Sequence, residues 1–180
     1  MMYCKKALTE TSGDVDLAIQ LLREKWLKAS ELKSSRQASE GTITSYIHPG
    51  SRVGVLVEIN CETDFVARTD EFQELAKNIA MQIAASKPTY LDRESVPADV
   101  VESEKSILKQ QDDIQGKPEQ IIEKIVECRI DKFFAEVCLI EQSYIKDNDK
   151  TIAEIVKEAV AKLGENIVVN RFYLFVLGQT

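Results

Sequence analysis

Residues 52–60 read Arg-Val-Gly-Val-Leu-Val-Glu-Ile-Asn, which is the clearest strand signal in the chain. Every second position from 53 to 59 is Val or Ile, and most of the positions between them are polar or glycine, so one face of the strand is apolar. Residues 42–47 form a second strand candidate. The segment between the two strands, His48-Pro49-Gly50-Ser51, suits a type II turn because proline presets its φ and glycine accepts a positive φ. The sequence therefore predicts a β-hairpin.

Helical periodicity dominates the chain after this hairpin. A helix is predicted from Thr69 or Asp70 to Lys87-Pro88, and residues 97–137 are expected to form a helical hairpin broken at Gly116-Lys117-Pro118. A short strand is expected over Leu139–Ile145. A last helix ends at Gly164, and the apolar run from Ile167 to Leu177 predicts a final strand that joins the hairpin. The fold class is therefore α+β, with one small antiparallel sheet packed against helices.

The first part of the chain is organised differently from the rest. A short helical stretch from Cys4 to Leu8 ends at a Thr-Ser-Gly turn, and a second helix follows with Asp14 as its N-cap. Two short helices bury little surface, so we expect either an element before Met1 or packing against the rest of the molecule. The predicted division is a helical domain over residues 1–33, a polar linker over 34–40 and a core domain over 41–180.

Charge and composition restrict the partners and the compartment. The chain has 180 residues with a net charge of -7, and an acidic chain is a poor binder of phosphate backbones. No nucleic-acid partner is therefore expected. No apolar stretch is long enough to span a bilayer, and no export signal follows Met1, so we expect no membrane association and a cytoplasmic or organelle location. The cysteines show no regular spacing, and all of them are expected to be small buried residues: Cys4, Cys61, Cys128 and Cys138.

Motifs for catalysis or cofactor binding do not stand out. The chain contains neither a Walker A loop nor a G-x-G-x-x-G turn, and we expect no cofactor. His48 is the only histidine. A Cys61–His48 pair is a conceivable nucleophile and base, although no recognisable motif links them. Glu62 and Asp64 are too few to hold a metal ion. We therefore expect no catalytic residues, no metal site and no enzyme activity.

The junction between residues 60 and 72 is the most informative segment for function. Here a strand ends and a helix begins, and Asp64 stands beside the apolar residues Phe65 and Val66. Two interpretations follow. In the structural one, Phe65 packs under its own domain and Asp64 bonds local amides. In the functional one, an acidic and aromatic tip is exposed and inserts into a partner protein.

The same residues resemble a known protein family. The run Asn60-Cys-Glu-Thr-Asp-Phe-Val-Ala-Arg68 is similar to the most specific signature of elongation factor Ts. Other family motifs follow in order along nearly the whole chain: Gly13–Ala18, Tyr46–His48, Arg52–Glu58, Ala80–Ala85 to Pro88, Gly116–Pro118 and Gly164–Ile167. Several motifs in the family order are more specific than any single one. The resemblance implies a ubiquitin-associated-like helical domain at the N-terminus, here incomplete, and a short bacterial or plastid form.

The resemblance also implies a function. Elongation factor Ts is a guanine-nucleotide exchange factor that promotes GDP release from elongation factor Tu during protein synthesis. The segment Thr63, Asp64, Phe65 and Val66 matches the family segment that intrudes beside the Mg²⁺ site of Tu. We therefore expect Phe65 to act as a wedge and Asp64 to disturb the groups that hold Mg²⁺ and phosphate. Short members can form homodimers, which implies a dimer through the sheet region.

Some positions depart from the family pattern, and two other functions remain open. The departures are Tyr3, Trp26, Cys128, Asn170 and Leu174, the last two at positions that are commonly basic. One alternative is a docking module that binds a partner without changing nucleotide release. The other is an enzyme that uses Cys61 with His48. The expected location is the cytoplasm, with the plastid stroma as the alternative.

Overall fold

The computed structural model describes the backbone of residues 2–111, 114 and 117–179 and, apart from Tyr3, Arg23 and residues 26–31, their side chains. Within these residues the elements occur in the following order: α1 Met2–Glu10, α2 Val15–Glu31, β1 Glu40–Ile47, β2 Val53–Cys61, α3 Asp64–Ala67, α4 Asp70–Ser86, α5 Ala98–Lys109, α6 Glu119–Val137, a 3-10 turn Leu139–Glu141, β3 Ser143–Tyr144, β4 Asp147–Thr151, α7 Ile152–Leu163 and β5 Ile167–Val176. This mixture confirms the α+β class.

The main sheet has the strand order β1-β2-β5, and both pairs are antiparallel. The turn between β1 and β2 closes with a hydrogen bond from the Ser51 N–H to the His48 carbonyl at 2.9 Å. Gly50 has a φ of 93° at the position where a type II turn needs a positive φ. The predicted hairpin and the returning C-terminal strand are therefore both confirmed.

Helix α4 covers the inner face of the sheet. Its N-cap is Thr69, whose hydroxyl oxygen accepts a hydrogen bond from the Phe72 N–H, and the helix ends at Lys87 in the left-handed conformation. The apolar stripe that the sequence predicts is buried, and it packs with α7 and the inward residues of β2 and β5 into one core. Burial of this stripe explains why α4 is helical along its full length.

Helices α5 and α6 form the predicted helical hairpin on the described residues of 97–137. They share a second, smaller core whose buried members include Leu108, Val126 and Phe134. Gly116, one of the three residues expected to break this hairpin, lies outside the described residues. Lys117 precedes α6, and Pro118 is its N-cap residue. A proline suits this place because its missing N–H would have no helical partner there.

The N-terminal helices lean on the core. The Asp14 carboxylate accepts a hydrogen bond from the Leu17 N–H at 3.0 Å, as expected for an N-cap. Ser12 and Gly13 both have positive φ in the turn that separates α1 from α2. Helix α2 packs against α7. Two short helices bury little surface by themselves, and packing against the rest of the molecule is one of the two expected ways to bury more. The domain division at residues 33 and 41 stays a prediction.

One predicted strand was wrong in part, and another strand was not predicted. The expected strand over Leu139–Ile145 is a strand only at Ser143–Tyr144, and its first half is a 3-10 turn. The first half is not a strand because the Leu139 and Ile140 N–H groups donate to the Tyr90 and Leu91 carbonyls at 2.9 and 3.1 Å. The buried Gln82 holds the residues after the turn, and its oxygen accepts from the Ile145 N–H at 2.8 Å. Strand β4 carries no apolar alternation and was not predicted.

The cysteine prediction holds for only half of the set. Cys61 and Cys138 are buried, whereas Cys4 and Cys128 are exposed. Cys4 in α1 and Cys128 in α6 are open to solvent, so irregular cysteine spacing alone does not imply burial. Among the described residues, no helix is long and apolar enough to cross a membrane.

Candidate functional site: an exposed phenylalanine on a clamped tip

The segment between β2 and α4 contains a helix that the sequence pattern does not predict. Strand β2 ends at the buried Cys61, and residues Asp64–Ala67 then form the four-residue helix α3. Such a helix is too short to be stable by itself, because the first turn of a helix costs more than it gains. Its stability must come from contacts at its two ends. Helix α3 and its cap residue Thr63 are here called the tip.

Local hydrogen bonds fix the tip at both ends. Thr63 is extended, with φ -131° and ψ 154°, and its hydroxyl oxygen accepts a bond from the Val66 N–H at 3.4 Å. At the other end, the Thr69 hydroxyl donates to the Val66 carbonyl at 2.8 Å. The Gln73 amide donates to the Ala67 carbonyl at 2.7 Å. The start of α4 therefore holds the end of α3.

A carboxylate from a distant part of the sequence holds the start of the tip. Glu165 follows Gly164, the left-handed C-cap residue of α7. Its Oε2 accepts a hydrogen bond from the Thr63 N–H at 3.0 Å, and its Oε1 accepts one from the Thr63 hydroxyl at 2.6 Å. Hydrogen bonds to an ionised carboxylate are stronger than neutral ones. Glu165 therefore grips both donors of the cap residue.

The neighbouring residues form a second link of the same kind. The Glu62 Oε1 accepts a hydrogen bond from the Asn166 N–H at 2.7 Å. Asn166 is buried, and its side-chain amide donates to the Arg36 carbonyl at 2.7 Å. The Arg36 guanidinium lies 3.5 Å from Glu62. The end of β2, the start of β5 and the linker after α2 are thus tied together beside the tip.

Phe65 projects from this clamped helix into solvent. Its side chain is 81% exposed, whereas Ala67 is buried and Val66 is half-buried against the main core. The structural interpretation, in which Phe65 packs under its own domain, is therefore wrong for this chain. The exposed ring is available for contact with a partner, and aromatic residues are enriched where protein surfaces meet.

Asp64 is partly exposed and lies beside a charged neighbour. Its carboxylate lies 2.9 Å from the Arg68 guanidinium, one helical turn along, and the two side chains are 46% and 80% exposed. An ion pair between such exposed groups contributes little to stability. Asp64 can therefore exchange Arg68 for another partner at small cost.

The cysteine and histidine of the enzyme hypothesis lie at opposite ends of the hairpin. His48 follows Ile47, which pairs with Gly54, whereas Cys61 pairs with Glu40. Seven residues of strand separate these rows, or about 23 Å at a rise of about 3.3 Å per residue. Burial, and then the Glu165 carboxylate, raise the pKa of the Cys61 thiol. The structure therefore contradicts a Cys61–His48 nucleophile and base.

The departures from the family pattern fall at places with different environments. Asn170 donates to Glu58 at 3.0 Å on the outer face of the sheet, and this bond, followed by Arg171, lowers the pKa of Glu58. Leu174 points inward, pairs with Val55 and packs against the main core. Cys128 is exposed on α6. The side chains of Tyr3 and Trp26 lie outside the described ones.

Fold and tip together have the features of a protein-binding module, since a small α+β scaffold presents one rigid aromatic anchor. Within the described residues, no cluster of three or more His, Cys, Asp or Glu side chains could hold a metal ion. Comparison with known proteins agrees with the motifs of the sequence. The family model described as elongation factor TS matches residues 9–179.

Individual relatives support the same assignment. Elongation factor Ts of Syntrophomonas wolfei is 56% identical over 179 residues, which covers 99% of this chain and 84% of the relative. The protein of the same name from Herpetosiphon aurantiacus is 58% identical, with 99% of this chain and 90% of the relative covered. That of Geobacter sulfurreducens is 54% identical, with 99% and 83% covered. The chain belongs to the elongation factor Ts family of translation elongation factors.

Sequence reasoning found the tip residues but missed what holds them. Thr63, Asp64, Phe65 and Val66 are adjacent in the sequence, and the structure keeps them together on one short helix and its cap. Glu165 and Asn166 lie a hundred residues away in sequence, and a carboxylate in a loop carries no signal of its partner. Both residues belong to the family motif Gly164–Ile167, and the strand register is the signal that could have placed them beside the tip. The pair Cys61 and Ile167 ends the β2–β5 ladder. Thr63 and Glu165 each lie two residues beyond this pair, so they start from neighbouring strand ends and lie close together.

Proposed function

We propose that this protein is a guanine-nucleotide exchange factor that binds elongation factor Tu in its GDP form and accelerates GDP release. The single observation that carries the proposal is the exposure of Phe65 on a tip that is clamped at both ends. Membership of the elongation factor Ts family supplies the partner. Thr63, Asp64, Phe65 and Val66 are the residues that we propose to contact Tu beside its Mg²⁺ site.

Phe65 acts as the wedge in this proposal. Transfer of a phenylalanine side chain from water to an apolar site gains roughly 1.5–3 kcal/mol. If that gain exists only in the nucleotide-free form of Tu, thermodynamic reciprocity requires GDP to bind more weakly by the same factor when the exchange factor is bound. Each tenfold change corresponds to about 1.4 kcal/mol. One wedge therefore accounts for one to two powers of ten, and the rest of the interface must supply any larger effect.

Asp64 acts on the charges of the nucleotide site. Among the described residues its carboxylate pairs with the exposed Arg68 guanidinium, and it can exchange such a pair for a new partner at small cost. Brought close to the Mg²⁺ and phosphate groups of Tu, a negative charge competes with phosphate for the cation and repels the phosphate itself. GTP then displaces the exchange factor, because the exchange factor binds the nucleotide-free form of Tu more tightly than a nucleotide-bound form.

The proposed mode of action is binding and not covalent catalysis. The separation of Cys61 from His48 removes the one nucleophile and base that the sequence suggested. The excess of acidic over basic residues favours a protein partner over a nucleic acid. We also propose that the protein works in the cytoplasm of a bacterium, which its bacterial relatives favour over a plastid stroma.

We further propose that two copies associate through the outer face of the main sheet. This face carries exposed apolar side chains in neighbouring rows, with Tyr173 beside Leu56 and Phe175 opposite Gly54, next to Ile47. An apolar patch on a sheet with one uncovered face is typical of an interface. The same face of two identical copies can meet across a two-fold axis.

A docking module without exchange activity remains the second candidate. The observation that favours it is a pair of exposed apolar residues one helical turn apart on α2, Val15 and Ile19, which could bind a partner independently of the tip. Release of a fluorescent GDP analogue from elongation factor Tu separates the two functions. The exchange proposal predicts that release accelerates with increasing concentration of this protein and reaches a plateau. Binding to Tu with no change in release would support the docking module and contradict exchange.

A further inference from the structure

The two strands that lead to the tip remain linked after their ladder has ended. Cys61 and Ile167 form the last backbone pair of β2 and β5. The next two rows of the same register are Glu62 with Asn166 and Thr63 with Glu165. In each row a carboxylate accepts from a backbone N–H of the other strand, at 2.7 Å for Glu62 and 3.0 Å for Glu165. Side-chain oxygens thus take the place of ladder carbonyls.

Glu165 has the tighter grip of the two carboxylates. Each of its oxygens accepts from a different donor of Thr63, and the bond from the Thr63 hydroxyl is 2.6 Å long. With its proton given to Glu165, the hydroxyl oxygen is left to accept from the Val66 N–H. The clamp therefore sets both the direction of the chain at Thr63 and the cap of α3.

We infer that Glu165 is a positioning residue for nucleotide exchange, an inference that rests on the proposed function. It holds Thr63, Thr63 orients the first turn of α3, and that turn aims Phe65. A tip fixed before contact loses less conformational entropy on insertion than a mobile one. Glu165 acts through Thr63 and needs no contact of its own with Tu.

A matched residue elsewhere in the chain separates positioning from stability. Glu154 accepts from the Thr151 N–H at 2.8 Å and from the Thr151 hydroxyl at 3.3 Å in the capping box of α7. Its chemistry is that of Glu165 on Thr63, but it lies at the opposite end of α7. Loss of either carboxylate removes the same kinds of hydrogen bond, and only loss of Glu165 frees the tip.

The test compares Glu165→Ala, Glu165→Gln and Glu154→Ala with the wild type, all as full chains. The first measurement is the maximal rate of GDP release from Tu at saturating exchange factor. The second is hydrogen exchange of the Val66 and Ala67 amides in the chain alone. Urea unfolding of each variant checks that it is folded under assay conditions. The glutamine can keep both contacts, because its oxygen accepts from the Thr63 N–H and its amide donates to the Thr63 hydroxyl.

We expect Glu165→Ala to lower the maximal release rate by about tenfold, the equivalent of one charged hydrogen-bond pair, and to accelerate exchange of the two amides by about the same factor. Glu165→Gln stays within about threefold of the wild type on the same scale, and Glu154→Ala within about twofold. Three results would overturn this inference alone, provided that the wild type accelerates release. They are a Glu165→Ala release rate equal to that of the wild type, a loss of rate in Glu154→Ala equal to that in Glu165→Ala, and slower release by Glu165→Ala with unchanged exchange of the two amides. A wild type without acceleration overturns the proposed function and this inference with it.

Discussion

Phe65 and Phe72 show how one short segment divides its aromatic residues between surface and core. Phe72 is fully buried against the sheet, and Phe65 is 81% exposed on the other side of the Arg68–Thr69 corner. Truncation of a buried phenylalanine to alanine costs about 3–5 kcal/mol, whereas truncation of an exposed one costs little. Phe65 therefore contributes almost nothing to the fold, which is consistent with a residue kept for contact with a partner.

The buried Cys138 thiol makes the free energy of unfolding fall as the pH rises into the alkaline range. It is fully buried at the end of α6, and burial, followed by the Glu141 and Asp92 carboxylates, raises the pKa of its thiol to about 11. An unfolded thiol ionises near its usual value of about 8.5. The folded pKa is the higher one, so this contribution is complete below about pH 8.5 and is lost as the pH rises toward 11.

The prediction at this scale concerns Cys138→Ala. At pH 8 the variant is less stable than the wild type, because the buried sulfur is lost and a small cavity remains. Between pH 8.5 and 11 the difference in the free energy of unfolding shrinks, since only the wild type has this thiol to ionise. Urea unfolding at several pH values measures the difference. A constant or widening gap would contradict the buried-thiol account.

At the scale of elements, the sequence predicts what is periodic and misses what is short. The spacing of apolar residues in α4, the alternation in β2 and the Pro49-Gly50 turn each specify a local structure, and all three formed. Helix α3 has no period to show, because four residues make about one turn. Its only signals are the N-cap Thr63 and Asp64 in the first turn. The 3-10 turn after α6 bonds to the Tyr90 and Leu91 carbonyls, which lie about fifty residues away in sequence.

Two glycines of the hairpin offer a matched test of backbone fit. Gly50 has a φ of 93° and open space around it, whereas a Cβ on Gly41, with a φ of 148°, would lie 2.1 Å from the Ile59 carbonyl oxygen. Alanine at either site is destabilised by the positive φ, but only Gly41→Ala also pushes β1 away from β2. We expect losses of about 1 kcal/mol for Gly50→Ala and about 3 kcal/mol for Gly41→Ala in the free energy of unfolding. Equal losses would show that the hairpin tolerates displacement of its edge strand.

At the scale of the whole molecule, the tip and the exposed apolar patch lie on different parts of the main sheet. Its inner face belongs to the core, its end beside Cys61 carries the tip, and its outer face exposes Leu56, Tyr173 and Phe175. A dimer through the outer face would leave both tips free to bind Tu. Assembly and exchange can therefore be tested separately.

Sedimentation tests the dimer. We expect the wild type to sediment with twice the mass of the chain at about 10 μM or more, in the affinity range of a micromolar interface. Tyr173→Glu places a charge in the centre of the apolar patch and should shift the protein to monomer. Ile107→Glu, on the exposed side of α5, is the matched control and should remain dimeric. A wild type that is monomeric throughout this range would contradict the dimer.

The most direct test of the central claim is the rate of GDP release from elongation factor Tu with Phe65→Ala in place of the wild type. Ile107→Ala, which also truncates an exposed apolar side chain but lies on α5, is the control. The account predicts that Phe65→Ala lowers the acceleration by about tenfold or more, since each 1.4 kcal/mol of lost wedge contact is a factor of ten, while its free energy of unfolding is unchanged. Ile107→Ala should keep the wild-type rate. Full acceleration by a folded Phe65→Ala chain would contradict the wedge.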